Sequence, residues 1–195
     1  MFQLFLEKPR TRKERKNITS RIITESDIET ILSTLQKAKR KGVIDEDHAL
    51  QFCAFVLFGA YTGQRPYSTI SKLRVGQFKE ALQHEKPTLH VEATQDKIRM
   101  AHYVPLHPQL TEVLSTLCNG RANKAPMFTF VSFYKWVREQ KIPLSRCKGY
   151  FVPSDLRKFA EQWGDVIGWN ESNRSYILTY GVFGVEWASS SASAA

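Results

Sequence analysis

Apolar positions along the 195-residue chain change their period several times, and each change marks a predicted element. Ile28, Ile31, Leu32, Leu35 and Ala38 recur at helical spacing behind Ser26-Asp27-Ile28-Glu29, which has the form of a capping box, and Gly42 ends the helix they predict. A second helix starts near Asp47. From Ala49 to Tyr61 it is apolar at nearly every position except Gln51, which predicts a helix buried on most sides rather than an amphipathic one. Gly63 suits the left-handed conformation that closes such a helix, and Pro66 suits the first turn of a new, short one carrying Ile70 and Leu73.

The period then shortens to two. Leu89, Val91 and Ala93 alternate with polar neighbours, and across the turn Thr94-Gln95-Asp96 the segment from Ile98 to Leu106 is again strand-like, with Met100, His102 and Val104 on one side. The prediction is a hairpin whose tip holds Lys97 and Arg99. Helical spacing returns after Pro108, with Leu110, Val113, Leu114 and Leu117 on one face and Asn119-Gly120 as the stop. A further helix, capped by Ser132, runs to Gln140 and places Phe133, Trp136 and Val137 in an apolar stripe that reads as core rather than as a cofactor site. Pro153-Ser154-Asp155 starts the next helix, with Leu156, Arg157, Phe159 and Ala160, and a last one runs from Ser172 through Tyr180 to Gly181. The expected class is α+β, mostly helical, with a small antiparallel sheet.

Composition narrows the partners. Lys and Arg outnumber Asp and Glu by 28 to 19, and the resulting +9 favours a polyanion such as DNA or RNA. Part of the excess lies in Lys8 to Lys16, where Lys8, Arg10, Arg12, Lys13, Arg15 and Lys16 stand against the single acid Glu14. That stretch reads as a strap able to track a phosphate backbone or as a solvated tail. Cys53, Cys118 and Cys147 lack metal-site or redox spacing and fit reduced thiols. The 13-residue apolar run is too short for a membrane span, which needs about 20 residues. The amino terminus lacks a cleavage-site pattern, so a cytoplasmic location is expected.

Two arginines stand where a helix begins. Arg65 falls between two predicted helices, beside an N-terminus whose free N–H groups favour anions. From the pentapeptide Thr62-Gly63-Gln64-Arg65-Pro66 alone, a phosphate site and an arginine that caps the preceding helix or pairs with a carboxylate both remain open. Arg157 lies in the first turn of its helix, where a cation is unfavourable beside the helix dipole unless an anion is near. The alternative is an i,i+4 pair with Glu161.

Taken together, these residues resemble the catalytic domain of tyrosine recombinases, the phage-integrase family, and most closely integrases of archaea and their viruses or mobile elements. Ala60-Tyr-Thr-Gly-Gln-Arg65 resembles the first-arginine motif of that family. Gln95-Asp-Lys97 followed by Tyr103-Val-Pro-Leu106 resembles its catalytic-lysine turn, with Val104 seven residues after Lys97. Asp155-Leu-Arg157-Lys-Phe-Ala160 resembles the second-arginine helix, and Ile177-Leu-Thr-Tyr180-Gly181 the element that follows it. Order and separation agree over about residues 20 to 187. On this resemblance residues 1–19 are a basic linker or tail, 20–187 the catalytic domain, and 188–195 a low-complexity tail that is not a native ending.

The resemblance implies that a tyrosine attacks a DNA phosphodiester, forming a 3′-phosphotyrosine and releasing a 5′-hydroxyl with no metal or nucleotide cofactor. Arg65 and Arg157 are then the clamp on the non-bridging oxygens, where the planar guanidinium matches a phosphate as lysine does not. Lys97 is the general acid for the leaving oxygen. Ser154 and Tyr180 stand at family positions usually held by His or Lys and by His. Ser154 is a poor base, and Tyr180 donates a hydrogen bond without holding a positive charge. Lys72, Arg99 and Lys158 join the basic segment as candidate contacts to duplex DNA. The family's assembly implies self-association on DNA through an exchanged C-terminal segment, and its amino-terminal DNA-clamping domain has no counterpart in the chain.

One departure bears on activity. The nucleophilic tyrosine belongs nine or ten residues after Tyr180, where Ser189 and Ser190 stand. Tyr176 and Tyr180 are nearby but fall too early. A truncated form, or a tail whose identities were not determined, is the expectation, ahead of natural loss. Three functions therefore compete: a DNA strand transferase, a binding-only relative that occupies or regulates recombination sites, and an unrelated basic protein such as an RNA-binding factor. The last predicts no convergence of Arg65, Lys97 and Arg157.

Overall fold

The structure, a computed structural model, describes residues 21–166. The basic segment Lys8 to Lys16 and the predicted helix from Ser172 through Tyr180 lie outside the described residues. Six α-helices and one two-stranded antiparallel sheet make up the described part, in the order α1 (Glu25–Arg40), α2 (Glu46–Thr62), α3 (Val75–Ala81), β1 (Thr88–Val91), β2 (His102–Pro105), α4 (Pro108–Cys118), α5 (Phe130–Gln140) and α6 (Asp155–Val166). No helix among these residues is long and apolar enough to cross a membrane.

Helix α2 is the axis of the fold, as its unbroken apolar run requires. It packs against α1, α4 and α6, and Phe52, Phe55 and Phe58 project from it into a core with Phe78, Phe128, Phe133 and Trp136. The ring of Phe55 lies 4.5 Å from that of Phe133 and 5.5 Å, edge to face, from that of Phe128, geometries that add to the area-based gain. The polar exception Gln51 is buried and satisfied: its amide donates to Asp47 at 2.6 Å and accepts from the Thr129 hydroxyl at 3.1 Å. Gly63 ends α2 in the left-handed conformation, φ 63°, with its N–H on the Gly59 carbonyl. Near that end Gly59 is a contact point, since a Cβ there would lie 2.7 Å from Leu156 Cδ1 and 3.0 Å from Leu156 Cβ. Only glycine lets α6 approach this closely.

Several local expectations are corrected. The capping box of α1 is Thr24 with Asp27, not Ser26 with Glu29: Thr24 N–H donates to Asp27 at 2.8 Å and Asp27 N–H to the Thr24 hydroxyl at 3.2 Å. Asp27 is the buried carboxylate and also accepts the Ser145 N–H, so tertiary structure selects it. Burial pushes its pKa up, but the hydrogen bonds from Thr24 and Ser145 outweigh that and leave it below the usual value. After Pro66 the chain forms a wide turn, in which the Arg65 carbonyl accepts from Thr69 and Ile70, and then only a 3-10 turn, Ile70–Lys72. The regular helix there is α3. Helix α5 starts at Phe130, so Ser132 lies inside its first turn.

Strands β1 and β2 pair in the register Leu89–Val104 and Val91–His102, with His102 and Val104 on the buried side as the alternation predicts. The strands are shorter than the pattern suggests. Ala93–Gln95 coil into a 3-10 turn because the Gln95 side chain folds inward, accepting the Glu92 N–H and donating to the Lys72 carbonyl. Lys97 and Arg99 therefore sit in a long connection, in which Arg99 has φ 55°.

Candidate functional site

Three segments far apart in sequence meet at the C-terminal end of α2. The first is Gly63 to Pro66, which has no regular secondary structure once Gly63 has stopped the helix. Its conformation depends on what touches it. The second is α6, whose Arg157 donates to the Gly63 carbonyl at 2.9 Å, two residues from Arg65. The third is the β1–β2 connection. Asp96, whose side chain is 0% exposed, places an oxygen 3.4 Å from the Arg65 guanidinium.

Arg65 and Arg157 are both half-buried, whereas Lys97, next to Asp96, is exposed. The structure thus brings the segments of Arg65, Arg157 and Lys97 to one place. The expected helix N-terminus beside Arg65 is absent, since the chain there forms only the wide turn and three 3-10 residues.

The remaining candidates are arranged around this centre. Ser154 is exposed in the turn before α6, and Lys158 follows Arg157 on the helix. Lys72 is exposed, and its ammonium donates to the Thr94 carbonyl at 3.0 Å, tying the 3-10 turn after Arg65 to the hairpin connection. Arg99 is exposed in that connection. Tyr180, Lys8, Arg10, Arg12, Lys13, Arg15 and Lys16 lie outside the described residues.

Supporting residues escaped the sequence reading. His102, 2% exposed, contacts the amide end of Gln64 at 3.2 Å through Nε2 and the Met100 carbonyl at 3.0 Å through Nδ1. Burial lowers its pKa, helped by His90 and Arg65 and opposed by the Met100 hydrogen bond and Asp96. The ring is therefore neutral near pH 7. Both ring nitrogens face oxygens that only accept, the Met100 carbonyl at Nδ1 and the Gln64 side-chain oxygen at Nε2, and a neutral ring carries one N–H, so it donates to one of the two at a time.

Arg21 anchors α6 from the other side. Its Nε and Nη2 meet the two oxygens of Asp155 at 2.6 and 2.7 Å, and Nη2 also donates to the Tyr150 carbonyl at 2.6 Å. The only sequence signals for these supports were polar residues at positions where a helix or strand turns inward.

Compared with solved structures, the chain is similar to XerA recombinase, with 13% identity and a TM-score of 0.59 over 83% of this chain and 57% of that one. It is also similar to the Tn1549 transposon integrase, solved in complex with circular intermediate DNA, with 14% identity and a TM-score of 0.53 over 84% of this chain and 58% of that one. No protein-family model and no curated protein matches the sequence. The chain thus spans a little over half of each solved structure. The likeness is one of fold: the mostly helical arrangement with its two-stranded antiparallel sheet is like that of these recombinase and integrase structures.

Proposed function

We propose that the chain is the catalytic-domain portion of a site-specific DNA strand transferase that cuts and rejoins duplex DNA through a phosphotyrosine intermediate. The observation that carries the reading is the meeting of Arg65, Arg157 and the Lys97 turn at the end of α2. An unrelated basic protein has no reason to bring these three segments together. The fold supports it, as does the DNA bound to the Tn1549 integrase.

In this reading a tyrosine oxygen attacks phosphorus while Arg65 and Arg157 stabilise the charge that develops on the non-bridging oxygens. Preorganised donors of this kind usually lower the barrier more than any other single effect. The 5′ oxygen leaves with a proton from Lys97. The phosphotyrosyl bond keeps the energy of the broken linkage, and attack by a new 5′-hydroxyl reseals the strand and frees the tyrosine. Lys72, Arg99, Lys158 and the segment from Lys8 to Lys16 hold the duplex backbone, so affinity falls steeply with salt. Residues 20–187 form the catalytic domain, which acts in the cytoplasm and self-associates on DNA. The motifs from Ala60 to Gly181 support kinship with archaeal integrases.

A second reading keeps the fold and the DNA contacts without the chemistry. Ser189 and Ser190, where the family pattern puts the nucleophile, favour it. Covalent trapping separates the two. The chain is incubated with nicked duplexes carrying candidate attachment sites and then denatured. A protein–DNA adduct supports the strand transferase, and peptide mapping decides among Tyr176, Tyr180 and the serines. Salt-sensitive binding without an adduct supports the binding-only relative, and absence of both overturns the DNA reading.

A further inference from the structure

Backbone bonds onto the Arg65 and Pro66 carbonyls close the turn that carries Arg65, but they do not fix its side chain, and an anion clamp requires the guanidinium to be held within a fraction of an ångström. Two contacts from a single hairpin address this turn. The Asp96 carboxylate lies 3.4 Å from the Arg65 guanidinium, and the same oxygen is 3.5 Å from the Thr69 hydroxyl at the far end of the turn. Its other oxygen accepts the Ile98 N–H at 3.3 Å, which shapes the turn displaying Lys97. Further along the hairpin, His102 Nε2 lies 3.2 Å from the side-chain oxygen of Gln64, one residue before Arg65.

Both residues are almost fully buried, at 3% for Asp96 and 2% for His102. A buried carboxylate is costly unless a cation and hydrogen bonds compensate it, so its place beneath Arg65 is a specific arrangement rather than a solvated surface pair.

We propose that Asp96 and His102 are positioning residues that set the Arg65 guanidinium against a DNA phosphate, and that Asp96 links this setting to the turn presenting Lys97. The inference rests on the anion-clamp reading above. Neither residue touches the phosphate; each acts through Arg65 or Gln64. One carboxylate serving both segments makes the spacing between the phosphate clamp and the lysine a property of the hairpin.

The test follows the arginines one by one. The full chain is treated with phenylglyoxal, and modification at Arg65, Arg157 and Arg138 is quantified by peptide mass spectrometry while a nicked DNA duplex is titrated in. Arg138, exposed on α5, serves as the reference for reagent reactivity. In the parent protein the duplex should protect Arg65 and Arg157. Asp96→Asn keeps the size of the side chain and an acceptor for Ile98 but removes the charge facing Arg65. At saturating duplex it should reduce the protection factor of Arg65 by about 10-fold or more, since misplacement by about 1 Å is enough for losses of that order. Arg157 protection should be kept, and total affinity by fluorescence anisotropy should move by less than about threefold, because many other cations share the backbone contacts.

His102→Leu probes the second contact and should also weaken protection of Arg65, so the inference stays testable if one variant does not fold. A purely structural role would lower the thermal midpoint and weaken protection of Arg65 and Arg157 alike, and that result overturns the proposal. So does protection of Arg65 to the parental degree at saturating duplex in both variants, which leaves the clamp intact without these supports. Failure of the duplex to protect either arginine in the parent protein refutes the clamp reading itself and the inference with it.

Discussion

Replacing Arg21 by alanine should destabilise the domain far more than loss of a surface ion pair. The Asp155 side chain is 1% exposed and that of Arg21 24%, and the two meet through paired contacts at 2.6 and 2.7 Å. Without Arg21 the carboxylate keeps the Val152 N–H at 2.9 Å but loses its cation. Breaking a buried pair costs about 3–5 kcal/mol. The partial exposure of Arg21 lets water approach, and its removal relieves a rotamer-entropy cost of up to about 2 kcal/mol that the parent protein bears in ordering it. A net loss of about 2–3 kcal/mol is therefore expected.

For a chain of this size each kcal/mol moves the thermal midpoint by about 2–4 °C, so a fall of about 4–12 °C should appear. Urea titration followed by circular dichroism gives the free energy directly. Arg21→Lys keeps the charge without the fork and should recover part of the loss. Asp155→Asn in the Arg21→Ala background should recover part as well, because the buried charge is gone. A loss below about 1 kcal/mol, the range of exposed pairs, would refute the argument by showing that water solvates Asp155.

Gly59→Ala should also destabilise, although alanine is the better helix former by about 1 kcal/mol. The new Cβ meets Leu156 at 2.7–3.0 Å, and overpacking of this kind costs about 1–3 kcal/mol. A raised midpoint in a melting scan would show that α6 yields freely. Stability should fall as pH drops from about 6.5, the unfolded histidine value. Burial holds the folded His102 pKa lower, so the unfolded state takes up a proton that the folded state does not, until the pH passes the folded pKa. His102→Gln should flatten that slope in urea titrations between about pH 7 and 5, and an unchanged slope would exclude His102 as its source. Once a covalent adduct is obtained, Arg65→Ala and Arg157→Ala should each slow its formation by about 10²–10³-fold. Most of the DNA affinity should remain, and equal loss of binding and adduct would count against the clamp.

The sequence by itself determined the helices whose signals are local. The apolar run of α2, its stop at Gly63, the Pro108 start of α4 and the alternation that buries His102 and Val104 follow from side-chain period and backbone conformational preference, which neighbours in sequence suffice to set. Arg65, Lys97 and Arg157 were legible as candidates because unlike motifs kept their order and spacing.

Only the tertiary structure decided which polar groups became buried. Thr24 rather than Ser26 caps α1 because Asp27 also meets Ser145, and the hairpin strands stop early because Gln95 turns inward to the carbonyl of Lys72. Asp96 under Arg65, Gln64 on His102 and Arg21 on Asp155 join residues 31, 38 and 134 positions apart. No period or propensity encodes such pairs. Their energy comes from the desolvation each group would suffer alone, which exists only once the surrounding core has excluded water.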